Sequence, residues 1–252
     1  MSSPFKPPRA SPGEQRALLQ SVLERASNAI RRRPALVVFD LDGTLLDNRP
    51  RSVAILHELA DAWAQRHPRE AERLRRADAA DLAYLLEESL ELLGIRDREL
   101  VDEAKSFWRE RFFTDRFLSH DRPTEGAVSF TRACHEAGAN VVYLTGRDLP
   151  NMALGSLASL RDLGFPIGVP ATQLVLKPNA ADDDTQFKRL VAPQFHRSGE
   201  VIASFDNEPG NCNLFTELFP EADSVLVDTQ HLPGAPALDQ RVRVIEHFGH
   251  EP

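Results

Sequence analysis

Residues 36–44 read LVVFDLDGT, and this stretch decides the fold of the chain. Its four apolar residues are continuous and do not alternate with polar ones, which is typical of a strand buried on both faces of a parallel sheet. Asp40 and Asp42 follow directly, and Gly43 allows the backbone to turn sharply beside them. We therefore expect a central strand that delivers two carboxylates to one edge of a sheet.

Similar apolar runs recur along the chain and alternate with segments of helical periodicity. The runs lie at 140–144, 174–176, 201–205 and 225–227, and a last run at 242–245 is either a sixth strand or a tail element. Helical patterns occupy 126–137, 151–163 and 184–196, and a first helix is expected from Ser11 to the arginines at 31–33. This alternation predicts an α/β fold: a Rossmann-like parallel sheet with helices on both faces.

The interval between the first two predicted strands is too long for one strand–helix–strand unit. The chain advances by 105 positions from Asp40 to Thr145, whereas a strand–helix–strand step needs about 30 residues. The additional residues show apolar stripes of helical period and no convincing strand. The stripes lie at 52–65, 68–77, 80–93 and 99–118. We predict a disordered, proline-rich tail at 1–13, an α/β core at 14–47 and 124–252, and a small all-helical domain at 48–123.

Composition limits the partners. The chain has 252 residues and a formal net charge of −8, so nucleic acid is not an expected partner. No apolar run approaches the ~20 residues that span a bilayer, and the first residues lack the apolar core of a secretory signal. We expect a cytoplasmic protein with neither membrane nor nucleic-acid partners, and the sequence does not indicate its oligomeric state.

Polar residues follow four of the predicted strands. Parallel sheets bind ligands at the carboxyl ends of their strands, so these residues are the candidate site. They are Asp40 and Asp42 after the first strand, Thr145, Gly146 and Arg147 after the second, Lys177 after the third, and Asp206, Asn207 and Glu208 after the fourth.

The chemistry of these residue types suits phosphate and a divalent cation. Asp40, Asp42 and Asp206 would form an oxygen-rich site of the kind that Mg²⁺ occupies. The Thr145 hydroxyl and the Gly146 backbone can bind phosphate oxygens, and a lysine would add positive charge where phosphoryl transfer accumulates negative charge.

Four ordered segments resemble the motifs of the haloacid dehalogenase (HAD) superfamily. They read VFDLDGTLLD, YLTGR, a downstream lysine and FDNEPGN, within residues 36–228. The resemblance implies that Asp40 attacks phosphorus and forms an aspartyl-phosphate. It also implies that Asp42 acts as general acid and then general base, with Mg²⁺ held by Asp40, Asp42, Asp206 and Asn207. An acid at position 42 and the insert after the first motif resemble the phosphatase-like branch with a helical cap.

Some assignments stay open. Lys188 matches the third motif, while Lys177 at a strand end could reach the phosphate as well. Asn207, Glu208 or Asn211 could support the metal, because the usual second acid of the fourth motif is missing. Arg147 could contact substrate or simply pair with an acid.

These observations predict a Mg²⁺-dependent phosphohydrolase. We expect a small phosphomonoester as substrate, because a cap of about 75 residues would hinder a macromolecule. One alternative is a phosphomutase that uses the same intermediate. Another is a non-catalytic binding or regulatory module built on the same scaffold.

Overall fold

The computed structural model describes residues 7–29 and 33–250. Its strands are β1 Ala35–Phe39, β2 Leu46–Asp47, β3 Arg122–Pro123, β4 Asn140–Asp148, β5 Thr172–Lys177, β6 Glu200–Asp206, β7 Asp223–Val227 and β8 Arg243–Ile245. Six of them form one sheet in the order β5-β4-β1-β6-β7-β8, and every neighbouring pair in it is parallel. The predicted α/β fold is confirmed, and the last apolar run is the sixth strand of the sheet.

Strand β1 lies at the centre of this sheet and is buried along its whole length. Val37 and Phe39 pack into the apolar cluster on one face, while Leu36 and Val38 pack into the cluster on the other. This alternation follows from the two-residue period of a strand. It explains why the sequence shows an unbroken apolar run directly before Asp40.

Helices cover both faces of the sheet. Leu18, Phe130 and Leu160 join the cluster on one face, and Phe187 and Phe215 join the cluster on the other. The helices that carry them are α1 Pro12–Ser27, α6 Ala127–Glu136, α7 Leu149–Leu163, α8 Asp184–Val191 and α9 Pro209–Leu218. Within the described ranges, no helix combines the length and the apolar character needed to cross a bilayer.

A helical insert follows β2 and ends at β3. It contains α2 Arg49–Trp63, α3 Pro68–Arg75, α4 Leu86–Leu92, α5 Arg98–Phe112 and short 3-10 turns at Ala79–Asp81 and Asp115–His120. The insert has an apolar cluster of its own, which includes Leu59, Trp63 and Leu90. At the base of the insert, β2 and β3 pair antiparallel. Strands of two residues are too short to give a recognisable sequence pattern. That residues 48–123 form a separate domain stays a prediction.

Two helices predicted for the insert are shorter than expected. The segment 80–93 is interrupted, because Leu82 and Leu85 are extended and the Ala83 N–H donates to the Ser89 hydroxyl instead of a helical carbonyl. The helix predicted over 99–118 ends at Phe112, where the Thr114 hydroxyl donates to the Arg111 carbonyl. In the core, the pattern at 184–196 divides into α8 and a 3-10 turn at Ala192–Arg197.

The predicted tail at 1–13 is described from residue 7 onward, and it contacts the core there. The Ala10 N–H donates to the Val244 carbonyl, and the Arg9 guanidinium lies 2.7 Å from Asp228 and 3.0 Å from Glu246. Helix α1 already begins at Pro12 and ends at Ser27. The end of this segment therefore contacts the core through Arg9 and Ala10, and the disorder of residues 1–13 stays a prediction. Residues 1–6 and Ile30–Arg32, which belong to the predicted tail and to the predicted end of the first helix, lie outside the described residues.

Candidate active site

The carboxyl ends of β1, β4 and β6 bring three buried side chains to one cavity. They are Asp40, which follows β1, Thr145 near the end of β4, and Asp206 at the end of β6. The cavity has a volume of about 960 Å³ and is lined by both the sheet edge and the helical insert. Because β1 lies between β4 and β6 in the sheet, Asp40 sits at the centre of this edge.

Lys188 connects two of the carboxylates. Its ammonium group donates to Asp40 Oδ1 at 2.7 Å and to Asp206 Oδ2 at 2.7 Å, and all three side chains are buried. Burial disfavours the charged ammonium, but the Asp206 and Asp40 charges outweigh it and raise the pKa of Lys188. Helix α8 therefore places one buried positive charge directly beside Asp40.

The environment of Asp40 changes its acidity. Loss of water raises the pKa of this carboxyl to about 7, the charge of Lys188 opposes that effect, and the neighbouring Asp206 adds to it. Asp40 and Asp206 both lie beside Lys188, and the negative charge of Asp206 makes ionisation of Asp40 less favourable. A divalent cation would relieve that repulsion.

The chemistry of the donor set fits Mg²⁺. Asp206 Oδ1 accepts from the Glu208 N–H at 2.9 Å and from Asn211 Nδ2 at 3.2 Å, so its carboxylate is fixed in orientation. In the described part of the chain, no group of three or more acidic, histidine or cysteine side chains is arranged to hold a metal ion. Mg²⁺ commonly takes only one or two carboxylates and completes its shell with water and phosphate oxygens. Asp40 and Asp206 are the residues that would hold it.

Two other predicted metal ligands have different partners. Asn207 Oδ1 accepts from the Thr44 hydroxyl at 3.1 Å, and its Nδ2 donates to the Gln230 carbonyl at 2.6 Å. Its amide thus joins loops of the core, and the Asp42 carboxylate faces arginines. In this structure both side chains are hydrogen-bonded to other partners, and the ligand roles of Asn207 and Asp42 stay predictions. Of the open candidates in this motif, Asn211 is the one whose side chain reaches Asp206.

Asp42 is surrounded by hydrogen-bond donors. Its Oδ1 accepts from Arg51 Nη2 at 2.6 Å, Arg147 Nη2 at 3.0 Å and Asn48 Nδ2 at 3.3 Å, and its Oδ2 accepts from Arg147 Nε at 2.6 Å. Burial favours the neutral acid, but the charges of Arg147 and Arg51 outweigh it and hold the pKa of Asp42 well below its ordinary value. Arg147 therefore pairs with an acid, one of the two roles left open by the sequence.

The structure separates the two candidate phosphate lysines. Lys177 donates to Asp184 Oδ1 at 2.6 Å, to the Asp182 carbonyl at 2.8 Å and to the Ala180 carbonyl at 3.3 Å. An ammonium group has three donors, and here the loop after β5 accepts two of them and Asp184 of α8 accepts the third. Lys188 is the lysine that reaches Asp40, and the phosphate-binding role of Lys177 stays a prediction.

Two glycines lie beside the cavity, and their neighbours approach them closely. A Cβ on Gly146 would overlap Asp184 Oδ2, so a larger residue beside Thr145 would require the exposed Asp184 side chain to move. Gly43 has a positive φ of 80°, and a Cβ there would lie 2.5 Å from Asn207 Nδ2. Gly43 therefore meets both a conformational and a steric requirement.

Gly43→Ala is expected to lower thermal stability and activity together. The left-handed conformation alone costs an L-residue about 1–2 kcal/mol, which is about 2–8 °C in Tm for a chain of this size. Gly234→Ala is the matched control, because Gly234 has a φ of 79° with nothing within 4 Å of its Cβ position. Thermal denaturation should show a larger loss for Gly43→Ala. Equal losses would mean that contact with Asn207 costs nothing.

Sequence reasoning missed two residues of the site, Arg51 and Asp121. Asp121 is buried and accepts from Arg51 Nε at 2.8 Å and from Arg147 Nη2 at 2.7 Å. Arg51 carried a signal, because it occupies the apolar stripe of α2 together with Ile55 and Leu59. A charge in such a stripe indicates a buried partner, but nothing in the sequence identified Asp121 as that partner.

Comparison with known proteins agrees with this geometry. A family described as haloacid dehalogenase-like hydrolase matches residues 34–202, more than half of the chain. The fold and the site thus define a hydrolase class with an acidic strand end at its centre. The chain belongs to the haloacid dehalogenase-like hydrolases, as the motifs predicted.

Solved structures share the fold at low sequence identity. A candidate phosphatase from Clostridium difficile has a TM-score of 0.54 and 14% identity, over 84% of this chain and 94% of that one. Protein tyrosine kinase A from Mycobacterium tuberculosis has a TM-score of 0.50 and 16% identity, again over 84% and 94%. A comparison with curated proteins found no match. Because the two structures carry different activities in their names, the fold alone does not identify the reaction.

Proposed function

We propose that the protein is a Mg²⁺-dependent phosphatase that acts through an aspartyl-phosphate on Asp40. The observation that carries this proposal is the convergence of Asp40 and Asp206 on the Lys188 ammonium at the centre of the sheet edge. Asp40 accepts a hydrogen bond from Lys188 through Oδ1, and no residue within 7–29 or 33–250 donates to Oδ2, so Oδ2 is the oxygen we assign as nucleophile. Membership of a hydrolase family supports transfer of the phosphoryl group to water.

The reaction would proceed in two steps. In the first, the Asp40 oxygen bonds to phosphorus, the bond from phosphorus to the alcohol oxygen breaks, and the alcohol takes a proton from Asp42. Asp42 must therefore be protonated in the substrate complex, although Arg147 and Arg51 keep it ionised in the free protein. In the second, water attacks phosphorus and gives its proton to Asp42, and phosphate leaves with Asp40 regenerated. Lys188 and the Thr145–Gly146 segment would hold the phosphoryl oxygens. When bound, Mg²⁺ supplies positive charge against the charge that develops in transfer.

The cavity supports a small phosphomonoester as substrate. Helix α5 contributes Trp108 and Phe112, whose rings stack with centroids 4.2 Å apart, and Phe113 beside them is exposed. This wall faces a volume of about 960 Å³, which lies within the usual range for a small-molecule site. A cavity enclosed by the insert and the sheet edge favours a metabolite over a macromolecule.

Activity is expected to require Mg²⁺ and to fall when Asp206 is changed. Asp206→Asn removes one of the two buried carboxylates that would hold the cation, so Mg²⁺ affinity should drop at least about tenfold. Calorimetric titration with Mg²⁺ measures this without any substrate, and hydrolysis of p-nitrophenyl phosphate with and without chelator measures the consequence. Asp239→Asn is the control, since Asp239 pairs with Arg241 away from the cavity. Unchanged Mg²⁺ affinity in Asp206→Asn would exclude Asp206 as a ligand.

A further inference from the structure

Four charged side chains form a network beside the sheet edge, and they are Asp42, Arg51, Asp121 and Arg147. Arg51 Nε and Nη2 donate to the two oxygens of Asp121 at 2.8 and 2.6 Å, and Arg147 Nη2 donates to Asp121 Oδ2 at 2.7 Å. The same two guanidinium groups also reach Asp42, at distances between 2.6 and 3.0 Å. Relative to the cavity, Asp121 therefore lies on the far side of both arginines, and Asp42 lies on the side that faces the cavity.

The network is buried and its charges balance. The side chains of Arg51 and Asp121 are 0% exposed and that of Arg147 is 1% exposed, while Asp42 is 26% exposed toward the cavity. Two guanidinium groups face two carboxylates, so loss of either acid would leave a positive charge without a partner in a site that excludes water. Each arginine is consequently held in one orientation from both sides.

The members come from both parts of the chain. Arg51 belongs to α2 and Asp121 follows the last turn of the insert, whereas Arg147 and Asp42 belong to the sheet edge. The Arg51 guanidinium also lies 4.3 Å from the centre of the Phe112 ring on α5. The orientation of the Asp42 carboxylate thus depends on residues that the insert supplies.

We propose that Asp121 is a positioning residue that aligns Arg51 and Arg147 so that they hold Asp42 in one orientation at the cavity. The network thereby makes the geometry of Asp42 depend on the inserted helices being seated against the sheet. The inference stands on these contacts, and only its effect on turnover rests on the proposed function. A misplacement of about 1 Å in a catalytic group can cost about a hundredfold in rate, so Asp121 can control turnover without touching substrate.

Two variants test the proposal. Asp121→Asn removes the charge behind the arginines, and kcat for p-nitrophenyl phosphate is expected to fall by about a hundredfold while KM changes little. The double variant Arg51→Gln/Asp121→Asn removes one charge of each sign and restores the balance. If Asp121 only neutralises buried charge, the double variant should recover both stability and kcat. If Asp121 positions Asp42 through the arginines, stability recovers and kcat stays low, and the single variant Asp121→Asn, which keeps Arg51, must show a low kcat as well.

Asp115→Asn is the matched control for Asp121→Asn. Asp115 lies in the 3-10 turn before Asp121 and accepts from the Gly155 N–H at 2.6 Å, so it also joins the insert to the core, without contacting Asp42. Its substitution should leave kcat at the parent value. Should Asp121→Asn fail to fold, the charge-balanced double variant carries the comparison. A parent-like kcat in the double variant would overturn the proposal.

A structural measurement separates this proposal from the proposed function. Crystal structures of the parent and the double variant should show the Asp42 carboxylate displaced from Arg147 in the variant, whether or not either protein is a phosphatase. An unmoved Asp42 would overturn the positioning role on its own. Failure of the proposed function would appear differently, as retained activity in Asp40→Asn.

Discussion

Asp40→Asn is expected to abolish turnover while leaving the fold intact. The amide cannot attack phosphorus, and loss of a nucleophile commonly costs about a thousandfold or more in kcat. The substitution keeps an oxygen for the Lys188 ammonium, which now donates to Asp40 Oδ1 at 2.7 Å. Hydrolysis of p-nitrophenyl phosphate and circular dichroism, measured on the same preparation, check the two halves of this expectation.

The control for Asp40→Asn is Asp162→Asn. Asp162 is exposed and pairs with Arg161 on the surface at 2.7 Å, so the same chemical change there should leave turnover unaltered. Rapid acid quench of the parent during turnover should trap a phosphoryl group on the protein, and Asp40→Asn should trap none. Activity within about tenfold of the parent, roughly 1.4 kcal/mol of barrier, would contradict the nucleophile assignment.

Lys188→Met should reduce both activity and stability in metal-free buffer. The change leaves Asp40 and Asp206 buried side by side without the ammonium that now lies 2.7 Å from each. Breaking a buried ion pair by removing one partner costs about 3–5 kcal/mol in free energy of unfolding. Saturating Mg²⁺ should restore much of that stability, because a cation that binds only the folded state stabilises it by mass action. Thermal melts with and without Mg²⁺ measure the difference.

Arg189→Met is the control for loss of a positive charge from the same helix. Arg189 is exposed and lies 3.4 Å from Glu217, so its loss should change stability only slightly. Lys177→Met examines the other lysine that the sequence offered. If Lys177→Met removed activity and Lys188→Met did not, the assignment of the phosphate lysine would be reversed.

The six strands of the parallel sheet were predictable because each contains a short apolar run, whereas β2 and β3 were not. Sequence patterning could not predict the break at Leu82–Leu85, since the leucines there fit a helical stripe equally well. The break depends on the Ser89 hydroxyl, which accepts from the Ala83 N–H at 3.0 Å. Local competition of this kind for a backbone donor is set by side-chain geometry and leaves no periodic signal.

The candidate site was predictable in its residue types and less so in its partners. Asp40, Lys188 and Asp206 lie together where the motifs placed them, and their catalytic roles stay predictions. Arg51 and Asp121 were missed, because they are 70 residues apart in sequence and meet only after the insert has folded. A buried pair formed at such separation is a property of tertiary structure, and one sequence cannot show it.

The antiparallel pairing of Leu46 with Pro123 has a consequence for how this chain can evolve. The chain leaves and re-enters the core at adjacent points, so the two ends of the insert are held next to each other. Lengthening a flexible loop whose ends are fixed costs only about 0.6 kcal/mol per doubling. Descendants could therefore add or lose turns above the cavity and change which alcohols fit there. Positions 51 and 121 should tolerate little change, because their side chains form a buried ion pair and loss of either would leave the other charge unpaired.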